Sequence, residues 1–412
     1  MVKKGTKKVH VWRVGIGFFI LFIISFIIAY VGVPSLGEST FDGSAYEATT
    51  TVPVVKSVPH VRTPSEVRGI YMTACVASSP TLRSKLVSLI DETELNTVVL
   101  DIKSFDGHLS FVPLDSTLAS STGGDCVVRD MRDFLETLHA HDIYVAGRIA
   151  TFQDGLMVKK RPELAVKKES DNTVVWRDYK GIPWIDAGAK PHWDYIVSIA
   201  KEAYNAGFDE INFDYIRFPS DGNMKDISYP WSAGKKKSDV IESFFSYLRQ
   251  SLGDTGAVMS ADLFGMTTTN EDDLNIGQVI EKALPYFDYI APMVYPSHYP
   301  YNFYNLGDPN KRPYDVVKYS MDRAVSRTVA TTTPIQTLGS VLISTSTSPW
   351  LYSKPEWDMQ KIRPWLQDNN YPVPYTAEMV RAQIQATYDA GLNSWMLWNA
   401  ANRYTREDLL TD

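Results

Sequence analysis

The 412-residue chain has only two cysteines and seven histidines, no excess of positive charge, and none of the short motifs that mark the commoner cofactor and nucleophile chemistries. Histidines so few and scattered give little support to a zinc site of His and carboxylate ligands. No Gly-x-Ser-x-Gly stands at the end of a strand-like run, which argues against a serine-nucleophile elbow. No Gly-x-Gly-x-x-Gly follows the first such run, which argues against a dinucleotide fold, and no cofactor is called for. The formal net charge is −7, and setting aside the five basic residues ahead of the long apolar run takes it to −12. That balance is unsuited to nucleic acid. The two cysteines, Cys75 and Cys126, are read either as one disulfide, as an exported chain allows, or as two buried thiols.

One long apolar run is present, Val14 to Val33, and Lys3, Lys4, Lys7, Lys8 and Arg13 precede it. It is long enough to cross the roughly 30 Å bilayer core. The basic flank keeps residues 1–13 in the cytoplasm and places the chain beyond the apolar run outside. The expectation is a single-pass anchor in the cell membrane, with the lipid bilayer as partner of residues 14–33. A cleaved signal peptide is the alternative, against which stand the length of the apolar core and the lack of a clear Ala-x-Ala site. Residues 34–64, rich in Ser, Thr, Pro, Val and Gly, read as a disordered stalk. Residues 65–412 read as one extracytoplasmic domain.

Within that domain, strand-like and helical runs alternate. The strands are placed at Val67–Thr73, Thr97–Lys103, Ile143–Ala150, Glu210–Phe218, Val258–Phe264, Tyr289–Tyr295 and Ser394–Ala400. The intervening helices are placed at 81–94, 129–141, 192–206, 239–252, 276–284, 314–328 and 377–390. A seventh strand is needed to close the series. Pro334–Ile343 has the composition for it, but Lys361–Asp368 lies closer to the last helix and is preferred despite Pro364. Residues 329–360 are then an insertion. Eight βα steps imply an α/β fold with a closed parallel sheet, a (β/α)8 TIM barrel, with an open doubly wound sheet as the competitor.

The C-terminal ends of barrel strands carry the chemistry of such folds, and here they are polar. They supply Tyr71, Asp101 with Lys103, Arg148, Asn212 with Asp214 and Arg217, Asp262, Tyr295 with His298, Gln367 with Asp368, and Trp398 with Asn399. Period-two alternation puts Asn212 with Asp214, Ser260 with Asp262, and Asp101 with Lys103 on common faces. Two carboxylates on neighbouring strands suit glycosidic-bond hydrolysis, which needs one ionised group and one proton donor. Asp214, beside Arg217, is the candidate nucleophile, with a structural ion network as the plainer reading. Asp262, in an apolar Ala-Asp-Leu-Phe setting, is the candidate acid/base, with a loop cap as the plainer reading and Asp101 in reserve. The loop tryptophans Trp176, Trp184, Trp231, Trp350 and Trp357 favour a sugar-binding cleft as a set. His139 and His141 close a helix at the opposite end and are read as surface residues.

The runs Glu210–Pro219, Val67–Thr73, Val99–Gly107, Ala291–Tyr299, Arg363–Asp368 and Trp395–Asn399, in that setting, resemble a family of bacterial "putative glycoside hydrolase" domains of (β/α)8 form, distantly like α-amylase barrels. The resemblance runs from about residue 66 to the C-terminus and implies a glycosidase. It also implies the Arg363–Asp368 stretch as the seventh strand. Against the amylase strand-four pattern, Gly207-Phe208 and Asp214 with Arg217 look like a spaced-out version, which implies Asp214 as nucleophile. Asp368 resembles the third, transition-state-stabilising carboxylate. Two positions depart from that pattern: Asp262 stands where a glutamate is expected, and Asn212 where an arginine is. The sequence therefore predicts a membrane-anchored enzyme acting on a cell-surface or extracellular polysaccharide, with a catalytically silent carbohydrate-binding barrel as the alternative. A metal-dependent deacetylase or amidase on the same barrel is a third reading.

Overall fold

The computed structural model of the protein describes residues 58–346 and 348–410. The apolar run at 14–33 and most of the stalk lie outside them, and among the described residues no helix is long and apolar enough to cross a membrane. The strands are β1 (Arg68–Met72), β2 (Thr97–Lys103), β3 (Tyr144–Ala150), β4 (Glu210–Asp214), β5 (Val258–Phe264) and β6 (Tyr289–Met293). They continue with β7 (Thr332–Thr333), β8 (Leu342–Ser344), β9 (Leu351–Ser353), β10 (Trp365–Gln367) and β11 (Trp395–Trp398). Eight of these close a parallel barrel in the order β1-β2-β3-β4-β5-β6-β10-β11, while β7, β9 and β8 form a small antiparallel sheet within the expected insertion.

Helices at Pro80–Asp91, Met131–Ala140, Lys190–Ala206, Lys237–Leu252, Pro313–Val329 and Ala377–Asp389 separate the barrel strands, with a single turn, Ile280–Ala283, between β5 and β6. Each longer helix buries one stripe, as Met131, Phe134, Leu135 and Leu138 do at helical spacing. The main core fills the space between strands and helices. A smaller apolar cluster of Tyr71, Val99, Ala146, Ala291, Tyr295, Trp365 and Met396 fills the barrel itself. Below it, the Arg363 guanidinium meets the Glu210 carboxylate at 2.8 Å, and the Tyr144 hydroxyl donates to the same carboxylate at 3.0 Å.

Three boundaries differ from the expectation for physical reasons. The fourth strand stops at Asp214, not Phe218, because Tyr215 takes φ +52 and turns the chain out of the sheet. The preferred seventh strand is in the barrel, but it begins at Trp365, so Pro364 precedes the ladder and gives only its carbonyl, to Met396 N at 2.9 Å. Residues 58–64, expected in the stalk, pack on the barrel floor. Val58 is buried, His60 stacks on Tyr204 at 4.0 Å, and Val61 N donates to Asp209 Oδ1 at 2.7 Å. Gly207 makes room for this: it sits at φ +116, and a Cβ there would lie 2.7 Å from Val58.

Candidate active site

Strand register places the polar residues before any side chain is considered. Asp101 pairs with Arg148, Arg148 with Asn212, and Asn212 with Ser260, so one polar row crosses β2, β3, β4 and β5. Asp214 and Asp262 lie two residues further along β4 and β5, on the same inward face. Arg148 stands at the centre. Its Nη1 meets Asp101 Oδ1 at 2.5 Å, its Nε meets Asp214 Oδ2 at 3.1 Å, and Nη2 also bonds Asp214. The same Nε lies 3.9 Å from Asp262 Oδ2. Asp214 and Asp262 thus share one nitrogen, and their facing oxygens are at most about 7 Å apart, the sum of those two distances.

The environments of the two carboxyls differ. Asp214 is held in the Arg148 fork through Nε and Nη2. Asp262 is buried, with Oδ1 accepting from Asn212 Nδ2 at 2.9 Å and from Trp365 Nε1 at 2.8 Å. Burial, together with the neighbouring Asp214 charge, pushes its pKa up to about 8. Burial works against the charge on Arg148, but Asp214 and Asp101 outweigh it and keep the guanidinium charged. The Tyr71 hydroxyl donates to Asp101, and its ring stacks on Trp398 at 4.1 Å.

Two lobes of one cleft open above this floor, sharing Arg148, Tyr215 and Trp398. The first, about 290 Å³, adds Asp214, Asp262, Arg217, Tyr295 and His298. The second, about 460 Å³, adds Tyr71 and Asp101 and is bounded by Cys75 and Cys126, which form a disulfide. His298 Nδ1 bonds Ser297 Oγ at 2.9 Å, and burial together with Lys180 lowers its pKa, which favours the neutral ring.

Other expected residues go elsewhere. Lys103 was placed on the Asp101 face, but a register shift between the two turns it away. Its fully buried ammonium lies 3.0 Å from Asp154 Oδ2 and donates to Ala150 O at 2.6 Å. Gln367 accepts from Ser297 N and donates to Asn369 O and Tyr371 O, holding loops together. Asn399 likewise donates to Asp368 O and Arg403 O. Asp368 is buried off the Arg148 cluster, with Oδ2 unpartnered; burial and then Asp408 raise its pKa to about 8. Arg217, expected beside Asp214, is carried onto the cleft wall by the turn at Tyr215.

The loop tryptophans do not line the cleft. Trp176 and Trp184 are buried, and Trp231 Nε1 donates to Glu163 O. Trp350 is exposed in the insertion, and Trp357 packs on the core. The aromatic surface comes instead from Tyr71, Tyr215, Tyr295 and Trp398. His139 is not a surface residue: its side chain is 6% exposed and bonds Asp209 at 3.0 Å, while His141 is more exposed and lies beside Asp91. Trp365 was missed as a site residue, although its spacing of two before Gln367 on a barrel strand put it on an alternating face. Among the described residues no group of three or more His, Cys, Asp or Glu side chains is arranged to hold a metal ion.

The glycoside hydrolase domain of PgaB (BpsB) from Bordetella bronchiseptica is similar in fold, with a TM-score of 0.55 at 13% identity over 84% of this chain and 97% of its own. An α-galactosidase from Thermus thermophilus matches at 12% identity over 85% of this chain and 61% of its own, with a TM-score of 0.48. A hypothetical protein from Ruminiclostridium thermocellum is 34% identical over 50% of this chain and 98% of its own, with a TM-score of 0.43. No curated protein matches. A family described as "Putative glycosyl hydrolase domain" matches residues 69–404, nearly the whole barrel, and the chain belongs to that family of glycosidase-type domains.

Proposed function

We propose that the protein is a retaining glycoside hydrolase that acts on a polysaccharide outside the cell, held at the membrane by residues 14–33. Asp214 is the nucleophile and Asp262 the acid/base. The observation that carries this reading is the unlike pair on one arginine: Asp214 in the fork of Arg148, and Asp262 buried behind it with its pKa raised to about 8. Near neutral pH Asp262 keeps its proton, so the pair sets a proton donor beside a carboxyl gripped by arginine. Asp262 donates its proton to the glycosidic oxygen as that bond breaks, while an Asp214 oxygen bonds the anomeric carbon. Water then attacks the glycosyl ester, its proton passes to Asp262, and Asp214 is released. An upper limit of about 7 Å admits the roughly 5–5.5 Å of retention and leaves out most of the roughly 6.5–9.5 Å range of inversion. Asp101, tied to Tyr71 and Arg148, fixes the arginine from its other side.

Release of reducing ends from a panel of bacterial cell-surface polysaccharides tests the proposal, with Asp214→Asn and Asp262→Asn proteins beside the parent. The parent should release them and both variants should lose at least about a hundredfold in rate. Binding of a polymer without release by the parent would instead favour a silent carbohydrate-binding barrel. Full activity of Asp262→Asn would remove that residue from the acid role and direct attention to Asp368.

A further inference from the structure

The buried arginines of the domain have acid partners. Arg148 has Asp101 and Asp214, Arg327 has Glu281 at 2.8 Å, and Arg363 has Glu210 at 2.8 Å. Arg217, half-buried in the wall of the 290 Å³ lobe, is different. Its Nη1 donates to Phe218 O at 3.2 Å and Ser220 Oγ at 3.1 Å, and it forms no ion pair among the described residues. Its guanidinium is held over aromatic rings, 4.9 Å from the centre of Trp184, 5.5 Å from Tyr215 and 5.8 Å from Phe264. Such contacts fix the plane, while Asp214, Asp221 and Asp178 act on the charge without any of them reaching ion-pair distance. Lys180, exposed on the same lobe, also has no ion pair among the described residues. General basicity does not explain the pair, since the chain as a whole is acidic at −7. Withdrawing a guanidinium from water without an acid is unfavourable. Here the missing acid has an open place to arrive from.

We infer that this lobe is an anion-recognising subsite, so that the glycan bound there carries a carboxylate or phosphate group that Arg217 and Lys180 engage. This rests on the cleft being a glycan site, as proposed above, and it names the substrate class. Arginine suits the task because its planar fork matches either oxyanion with two parallel hydrogen bonds. A neutral sugar at the same place would leave both cations unanswered.

The test is binding, measured by calorimetry on the full-length Asp214→Asn protein so that hydrolysis does not interfere. The probes are hexuronic acid oligosaccharides, the same oligosaccharides with their carboxylates reduced to alcohols, and hexose oligosaccharides bearing phosphate monoesters. At least one charged set should bind about tenfold or more tightly than the reduced set, and which one does so identifies the anion. Arg217→Gln should abolish that preference, Lys180→Gln should weaken it, and Arg217→Lys should restore part of it. Equal affinity for charged and reduced sets, no binding of either charged set, or a preference untouched by Arg217→Gln would overturn the inference. Charge-selective binding by a parent protein that releases no reducing ends would defeat the hydrolase reading and leave this one standing. Hydrolysis confined to neutral glycans would do the reverse.

Discussion

Replacing Asp262 with asparagine should separate a catalytic cost from a stability gain, and the gain should depend on pH. The amide can still accept from Asn212 Nδ2 and Trp365 Nε1, so the hydrogen bonds at Oδ1 survive. What disappears is a buried group whose pKa is raised from 3.8 to about 8. The folded protein holds a proton there that the unfolded chain loses, so the parent's stability falls as pH climbs from about 4 to about 8 and the contribution is flat above that. At 1.36 kcal/mol per unit the full shift is worth on the order of 5 kcal/mol. The three units between pH 5 and pH 8 span at most about 4 kcal/mol of it, and a gain of about 2–4 kcal/mol for the variant over that window is expected. Urea unfolding of both proteins at several pH values gives the difference directly, because titrations common to both cancel. The variant should gain relative to the parent across that window while losing about 10²–10⁴ in turnover. A stability difference independent of pH would show that Asp262 does not retain its proton in the fold.

Arg148→Met should lower stability by about 3–5 kcal/mol, because Asp101 and Asp214 would face each other without a counter-charge, and unfolding by urea at neutral pH measures it. Trp365→Phe removes a hydrogen bond that favours the ionised form of Asp262, so the alkaline limb of the kcat/KM profile should move upward by up to about one pH unit. A chain that starts at residue 65 should melt earlier than one that starts at 58, with a loss of about 2–3 kcal/mol from the buried Val58 and the Val61 hydrogen bond to Asp209.

Much of the barrel was legible because eight alternating runs with buried faces leave few ways to close a sheet, and the polar strand ends could be read off the same pattern. Alternation placed Asn212, Asp214, Ser260 and Asp262 together because β4 and β5 keep an unbroken pleat. It failed at Lys103, where one irregular step in β2 reverses the face, and local sequence does not mark such a step. Asp214 was visible as a carboxylate in an apolar strand, but its partner was not. Arg217, three residues away, was the nearest charge in sequence, whereas Arg148, 66 residues away, is the one in contact. The left-handed turn at Tyr215 decides between them, and a tyrosine gives no warning of positive φ. The tryptophans misled for a related reason: a large ring in a loop can fill the space beneath that loop as readily as it can face a ligand.

The central claim is that Asp214 attacks the anomeric carbon, and chemical rescue tests it most directly. Asp214→Ala should be nearly inactive on an aryl glycoside that the parent cleaves, and added azide should restore turnover and yield a glycosyl azide of inverted configuration. An Asp214→Ala protein that azide does not revive, while the parent releases a sugar of inverted configuration as its first product, would contradict the account and assign Asp214 to activating water instead.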